Sequence, residues 1–341
     1  MPLRSSFLWE TCRTVRRRPR RFILLVTLTL AFLTYKSLPL LHLLTEDGSA
    51  DAVRASVLFN DPQTYNNTQL IPKIIHQTYK NTTIPLRWQV PQEMILKYHG
   101  DYEYMFWTDE SALDFIAENY PSYLETYISY AHPIQRADAL RYFVLYHFGG
   151  IYLDLDITPR RRLDALLTLP AFACLTTPTG ISNDALGAAP SHPFFLHVIK
   201  SLQKFNKNWY SPYITVMAST GPLFMSLAWK EWLDSGRNVG DGRVKVMVPE
   251  GRGYGFLVNV EGRSWQESDE KIISWLERHY LFDIICSIFA VCVSVGIACQ
   301  CFDWTAKKLR RRRWIRGRRG RVRGRLETVW ERGAWDESKM V

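Results

Sequence analysis

The sequence predicts an α/β domain held between two membrane-spanning helices. Three observations carry that expectation: strand-like and helix-like segments alternate through the middle of the chain, an apolar run lies at each end of that middle, and arginine clusters stand outside both runs. The 341 residues suffice for one sizeable domain with appendages. A content of 47% hydrophobic and 13% aromatic residues supplies a core, which excludes a disordered chain. The net charge of +10 raises nucleic acid as a partner, but the excess sits at the two ends and not on one folded face, so none is expected.

Residues 1–21 form a basic tail with Arg13, Arg16, Arg17, Arg18, Arg20 and Arg21. The apolar run 22–44 after it is interrupted by Lys36, Pro39 and His42 and reads as a transmembrane signal-anchor. A signal peptide cut near Gly48-Ser49-Ala50 is the competing reading. Residues 45–70 are polar, with Asn60-Asp61-Pro62 and Asn66-Asn67, and suit a lumenal stalk. The domain proper then runs over 71–279. The second apolar run, 280–302, has Asp283 as its one charge and fits a membrane span. Residues 303–341 carry Lys307, Lys308 and an arginine tract at 310–325, a second basic tail. The positive-inside rule puts both tails in the cytosol and the domain in the lumen. Glycosylation sequons at Asn66 and Asn81 agree with that side. Cys174 is the one cysteine between the two runs, so no disulfide staples the domain.

Within the domain, the β-branched stretch 71–79, opened by Pro72, predicts a first strand, 102–107 a second, and 110–119 a helix that stops before Pro121. Pro133 opens a longer helix whose apolar stripe is Ile134, Ala137, Leu140, Val144 and His147, ended by Gly149-Gly150. The segment 151–156 alternates, with Ile151, Leu153 and Leu155 on one face and Tyr152, Asp154 and Asp156 on the other. Both carboxylates then emerge at a strand's carboxyl end, where open α/β sheets bind ligands.

Two carboxylates one residue apart can share a divalent cation and leave coordination positions for substrate phosphates. Mn2+ or Mg2+ is the cation expected, acting on the charge of a departing nucleoside diphosphate. A D-x-D triplet arises often by chance. Here it follows a glycine pair and a helix that places Asp138 and Arg141 on one face. The letters Asp154-Leu155-Asp156-Ile157-Thr158 also fit a phosphatase nucleophile loop, but Gly240-Asp241 with Lys245 lacks the further acidic partner which that chemistry needs.

Arg136-Ala137-Asp138-Ala139-Leu140-Arg141-Tyr142, continuing through Gly149-Gly150 to Asp156, resembles the signature of glycosyltransferase family 32. The stretches from Ile71 to Thr78, Asn183-Asp184-Ala185 and Gly262-Arg263-Ser264-Trp265 follow that family's order. With two flanking spans the chain is most similar to fungal inositol phosphoceramide mannosyltransferase catalytic subunits. The resemblance implies a GT-A, Rossmann-like nucleotide-sugar domain and retaining transfer of mannose from GDP-mannose to a sphingolipid acceptor. It also implies a regulatory membrane subunit and a Golgi membrane location. Carried over residue by residue, it implies that Asp156 ligates the metal, with Asp154 on the ribose or on the metal through water. Asp138 and Arg141 would contact donor sugar or diphosphate, Thr78 and Tyr79 line the nucleotide pocket, Asn183 and Asp184 contact the donor, and Ser264 and Trp265 close the site. Gln266 stands where relatives carry histidine, which leaves Glu267 or Asp269 as substitute ligands. Asp184 is the candidate nucleophile if the reaction is a double displacement. Arg160, Arg161 and Arg162 are candidates for the anionic acceptor headgroup, against the alternative of a solvated loop. His76 reads as a core histidine. The rival functions are a family relative acting on protein-linked glycans and a membrane scaffold with a decayed transferase domain.

Overall fold

Seven strands pair into one mixed sheet in a computed structural model that describes residues 49–259, save 177, 178, 210 and 251–253, and isolated positions at 35, 43, 300, 304, 307 and 314. The chain divides into a unit Leu38–Ile273, which carries the fold, and a second unit of which only isolated positions are described. Among the described residues no helix is long and apolar enough to cross a membrane; the runs 22–44 and 280–302 lie outside them but for three isolated positions.

The strands are β1 (Ala52–Arg54), β2 (Ile74–Thr78), β3 (Glu103–Trp107), β4 (Gly150–Leu153), β6 (Ala171–Leu175), β7 (Ile181–Ala188) and β8 (Lys245–Val248), in spatial order β1-β8-β6-β7-β4-β2-β3. Every pairing is parallel except those of β7, which runs against both β4 and β6. A two-stranded ribbon joins β5 (Ile157–Pro159) to β9 (Leu257–Asn259). The helices are α1 (Ala55–Asn60), α2 (Leu86–Tyr98), α3 (Asp109–Asn119), α4 (Pro121–Ser129), α5 (Pro133–Phe148), α6 (Pro193–Phe205), α7 (Pro212–Ser219) and α8 (Pro222–Asp234). The last five each begin with proline, whose missing N–H costs nothing in the first turn.

The sheet is covered on both faces. On β4, Tyr152 joins the core under α5, α6 and α8, while Ile151 and Leu153 join the core under α1, α2 and the 163–169 segment. The predicted α5 is present, but its middle is buried nearly all round, from Asp138 to Leu145, and His147 is exposed, because the helix is wedged between sheet and neighbouring helices instead of lying on a surface. Gly149 and Gly150 both take positive φ, 70° and 94°. A Cβ on Gly150 would lie 2.7 Å from the Ile74 carbonyl, so the tight crossing from α5 into β4 requires glycine.

The stretch expected as a stalk contributes to the fold. Ala52–Arg54 pair in parallel with β8, Ser56 bonds Glu250, and the Phe59 ring lies 5.4 Å from that of Phe256. The polar composition of 45–70 concealed this because a three-residue edge strand has no room for a visible alternation.

Candidate active site

The site grows out of the reversed strand. Because β7 is antiparallel to β4, its amino-terminal half arrives at the carboxyl end of β4: Ala185 pairs with Leu153, and the Asp154 N–H donates to the Asp184 carbonyl at 2.8 Å. Strand β4 stops at Leu153. The next residues turn, the Ile157 N–H closing on the Asp154 carbonyl at 3.0 Å. The carboxylates therefore do not both follow strand alternation, as the sequence suggested. Asp154 continues the Tyr152 face and Asp156 stands on the turn. Both neighbours continue, β2 to Thr78 and β7 back to Ile181, but the chain after Asp154 turns away from them.

Helix α5 brings Asp138 and Arg141 beneath that turn. Arg141 Nη2 lies 2.8 Å from Asp138 Oδ1 and 3.3 Å from Asp154 Oδ1, and Nη1 donates to Asp154 Oδ2 at 3.3 Å and to the Asn183 carbonyl. Its guanidinium carbon also lies 4.6 Å from the Tyr152 ring centre. Arg141 and Asp138 are buried, whereas the Asp154 side chain keeps 31% of its surface. Asp138 is held on every side: Oδ1 accepts from Asn183 Nδ2 at 3.1 Å and Oδ2 from Thr220 Oγ1 at 3.2 Å. Tyr142 donates to the Thr220 carbonyl at 2.6 Å and lies 3.2 Å from Asn183 Nδ2. Tyr152 donates to Asp154 Oδ1 at 2.9 Å.

Electrostatics single out Asp156. Burial, and then the neighbouring Asp154 and Asp184 carboxylates, push its carboxyl up to about 7. Burial also raises Asp154, against the pull of Arg141, and raises Asp138 to about 6. No side chain among the described residues donates to Asp156, and Asp184 Oδ1 is buried without a hydrogen-bond partner. Like charges gathered round unmet acceptors fit a cation at the turn. Among the described residues no three acidic, histidine or cysteine side chains form a cage for one, so substrate oxygens would complete such a site.

The other sequence candidates separate. Thr78 and Tyr79 stand at the carboxyl end of β2, beside β4. Thr78 Oγ1 donates to the Trp107 carbonyl at 3.1 Å, and the Tyr79 ring meets Trp88 edge-on at 5.6 Å. Asn183 belongs to the network under the site and Asp184 to its rim. Ser264, Trp265, Gln266, Glu267 and Asp269 lie outside the described residues; β9 ends with Asn259 opposite Ile157, one residue past Asp156. The members of the arginine triplet differ, with Arg162 ion-paired within the protein and the Arg160 and Arg161 side chains exposed. Arg162 is bound to Asp101 at 2.7 Å and Asp164 at 2.6 Å, Arg161 lies 5.2 Å from the Phe59 ring centre, and the Arg160 N–H bonds the Phe256 carbonyl. Asn66 and Asn81 are exposed. His76 is a core residue, accepting from Trp107 Nε1 at 3.2 Å and bonded to the Gly149 carbonyl at 2.8 Å. Sequence reasoning passed over Thr220, which stands 82 residues from Asp138 and has no local signal, and Tyr142 and Tyr152, which look like core aromatics until their hydroxyls are placed.

Comparison with known proteins agrees with this geometry. Residues 85–173 match the family described as "Glycosyltransferase sugar-binding region containing DXD motif". The mannosyl phosphorylinositol ceramide synthase CSH1 of Saccharomyces cerevisiae is 46% identical over 255 residues, 72% of this chain and 68% of that protein. SUR1, of the same title and organism, is 43% identical over 80% of this chain and 71% of its own length. Inositol phosphoceramide mannosyltransferase 3 of Schizosaccharomyces pombe is 44% identical over 67% of this chain and 65% of its own.

Proposed function

Since the chain belongs to the DXD glycosyltransferase family of the yeast inositol phosphoceramide mannosyltransferases, we propose that it transfers mannose from GDP-mannose to inositol phosphoceramide, with Mn2+ or Mg2+ at the Asp154–Asp156 turn. It is an enzyme of sphingolipid synthesis on this reading, with a GT-A domain in the lumen of the Golgi, both tails in the cytosol and a regulatory membrane subunit beside it. The observation that carries the reading is the half-exposed acidic turn at the end of β4, wired from below through Arg141 to a buried polar network. Asp156, with Asp154 beside it, would hold a divalent cation there, which would supply positive charge for a departing diphosphate.

The chain's own residues do the rest. Arg141 holds Asp154 in one orientation with both its Nη atoms, and Tyr152 donates to Oδ1 of the same carboxylate. Thr78 and Tyr79 sit at the adjacent strand end, where an aromatic ring can take the base. Front-face retaining transfer needs no nucleophile below the sugar, and Asp184 is the carboxylate that a double displacement would need there.

Membranes carrying the full chain, with its partner subunit if required, are supplied with labelled GDP-mannose, Mn2+ and either inositol phosphoceramide or a glycan acceptor. A labelled sphingolipid, lost in Asp156→Ala, is the expected product. Labelled glycan with unlabelled lipid would overturn the acceptor, and full transfer by Asp156→Ala would overturn the metal turn.

A further inference from the structure

Resting on a lipid acceptor, we propose that the corner formed by residues 128–134, 206–209 and 211–214 lies against the bilayer and sets the height of the active site above it. Large apolar side chains stand in water there: Ile128 is 59% exposed, Trp209 50% and Ile214 46%. Asn206 Nδ2 donates to Ser129 Oγ at 3.1 Å, and the Trp209 N–H to Thr215 Oγ1 at 3.0 Å, so the two segments and the start of α7 are tied together. Neither segment contains an aspartate or glutamate. Lys200 on α6 and Lys207 in the loop are exposed, with no ion-pair partner among the described residues.

The combination matches an anionic lipid surface. Tryptophan settles at the headgroup level, isoleucine enters the edge of the hydrocarbon, and lysines meet lipid phosphates. Of the other exposed apolar side chains, Leu86 and Val90 on α2 stand with Glu93 and follow the Asn81 sequon, a setting suited to water. Height follows from α7. Its eight residues span about 12 Å, from the loop to Ser219-Thr220. There Ser219 Oγ accepts from Gln135 and Thr220 bonds Asp138. The headgroup layer of one leaflet is roughly 5–8 Å thick. With the loop end of α7 on the membrane, an inositol phosphate headgroup would extend from the bilayer toward the acidic turn.

The test needs no mannosyl transfer, so it fails separately from the functional reading. A photo-crosslinking phenylalanine analogue replaces Trp209 in the full chain, in membranes containing a phosphoinositol lipid, and a second protein carries it at Val239, which is 61% exposed elsewhere. Ultraviolet light should give lipid adducts at 209 and none at 239. Adducts to another protein at 209 would replace the bilayer by a protein partner, and an absence of lipid adducts at 209 would overturn the proposal. Kinetically, Trp209→Ser with Ile214→Ser should raise KM for bilayer-embedded acceptor about tenfold, the scale of two lost interfacial side chains, with kcat and donor hydrolysis unchanged.

Discussion

Arg141 lies between two carboxylates of different standing. Asp138 is buried with every acceptor engaged, and Asp154 faces the site. Removing the guanidinium strands Asp138 in the interior, so Arg141→Gln should lower stability by about 3–5 kcal/mol, read from denaturant midpoints at constant slope. Asp156 is the opposite case. Its carboxyl is pushed up to about 7 by burial and by Asp154 and Asp184. Asp156→Asn should therefore melt at or above the parent temperature while transfer falls by roughly two to three orders of magnitude; a clear loss of stability in that variant would contradict the assigned repulsion. His76 gives the pH dependence. Burial pulls it down to about 4, so between pH 6.5 and 4 the unfolded chain binds a proton that the folded chain does not. The His76 contribution to stability then falls as pH falls through that window, by roughly 3 kcal/mol, while Asp138 and Asp156, held above their ordinary values, contribute with the opposite sign. The His76 share is read as the difference between the stability profiles of His76→Gln and the parent, and a difference that stays constant between pH 7 and 4.5 would remove the argument.

The element that matters most is β7. A fully parallel sheet would put Asn183 and Asp184 at the far end from the acidic turn; reversal of one strand delivers them to it. Strand β1 and helix α1 matter for another reason. They close the β8 edge, place Phe59 against Phe256, and hold Asp51 beside Asn238 and Lys245. A chain begun at residue 71 should lose its cooperative melt or its solubility, and one begun at residue 49 should keep both. Equal melting curves for the two would show the edge to be dispensable.

At the scale of the whole molecule, the fold concentrates like charge at one rim, and among the described residues Arg141 is the one protein cation paired with it. Mn2+ should therefore stabilise the folded chain. At a hundred times its dissociation constant the gain is about 2.7 kcal/mol, a rise in melting temperature on the order of 5–10 °C for a domain of this size. Excess chelator should reverse the shift, and the joint replacement Asp154→Asn with Asp156→Asn should abolish it; an undiminished shift in that variant would place the cation elsewhere. The residues themselves determined the α/β class, the helix from Pro133 to Gly149, the i, i+3 pairing of Asp138 with Arg141, the buried His76 and the acidic pair. Each of these is a local matter of periodicity, glycine stereochemistry or spacing, within reach of one or two helical turns. Only the tertiary structure decided that Asp156 stands on a turn, that 52–60 belongs to the domain, that Arg162 is spent on Asp101 and Asp164, and that Thr220 and Tyr142 complete the cradle of Asp138. Apart from the Asp154–Ile157 turn and the Arg162–Asp164 pair, those contacts join residues tens of positions apart, and their partners are chosen by strand order and packing, quantities that no local pattern of side chains encodes.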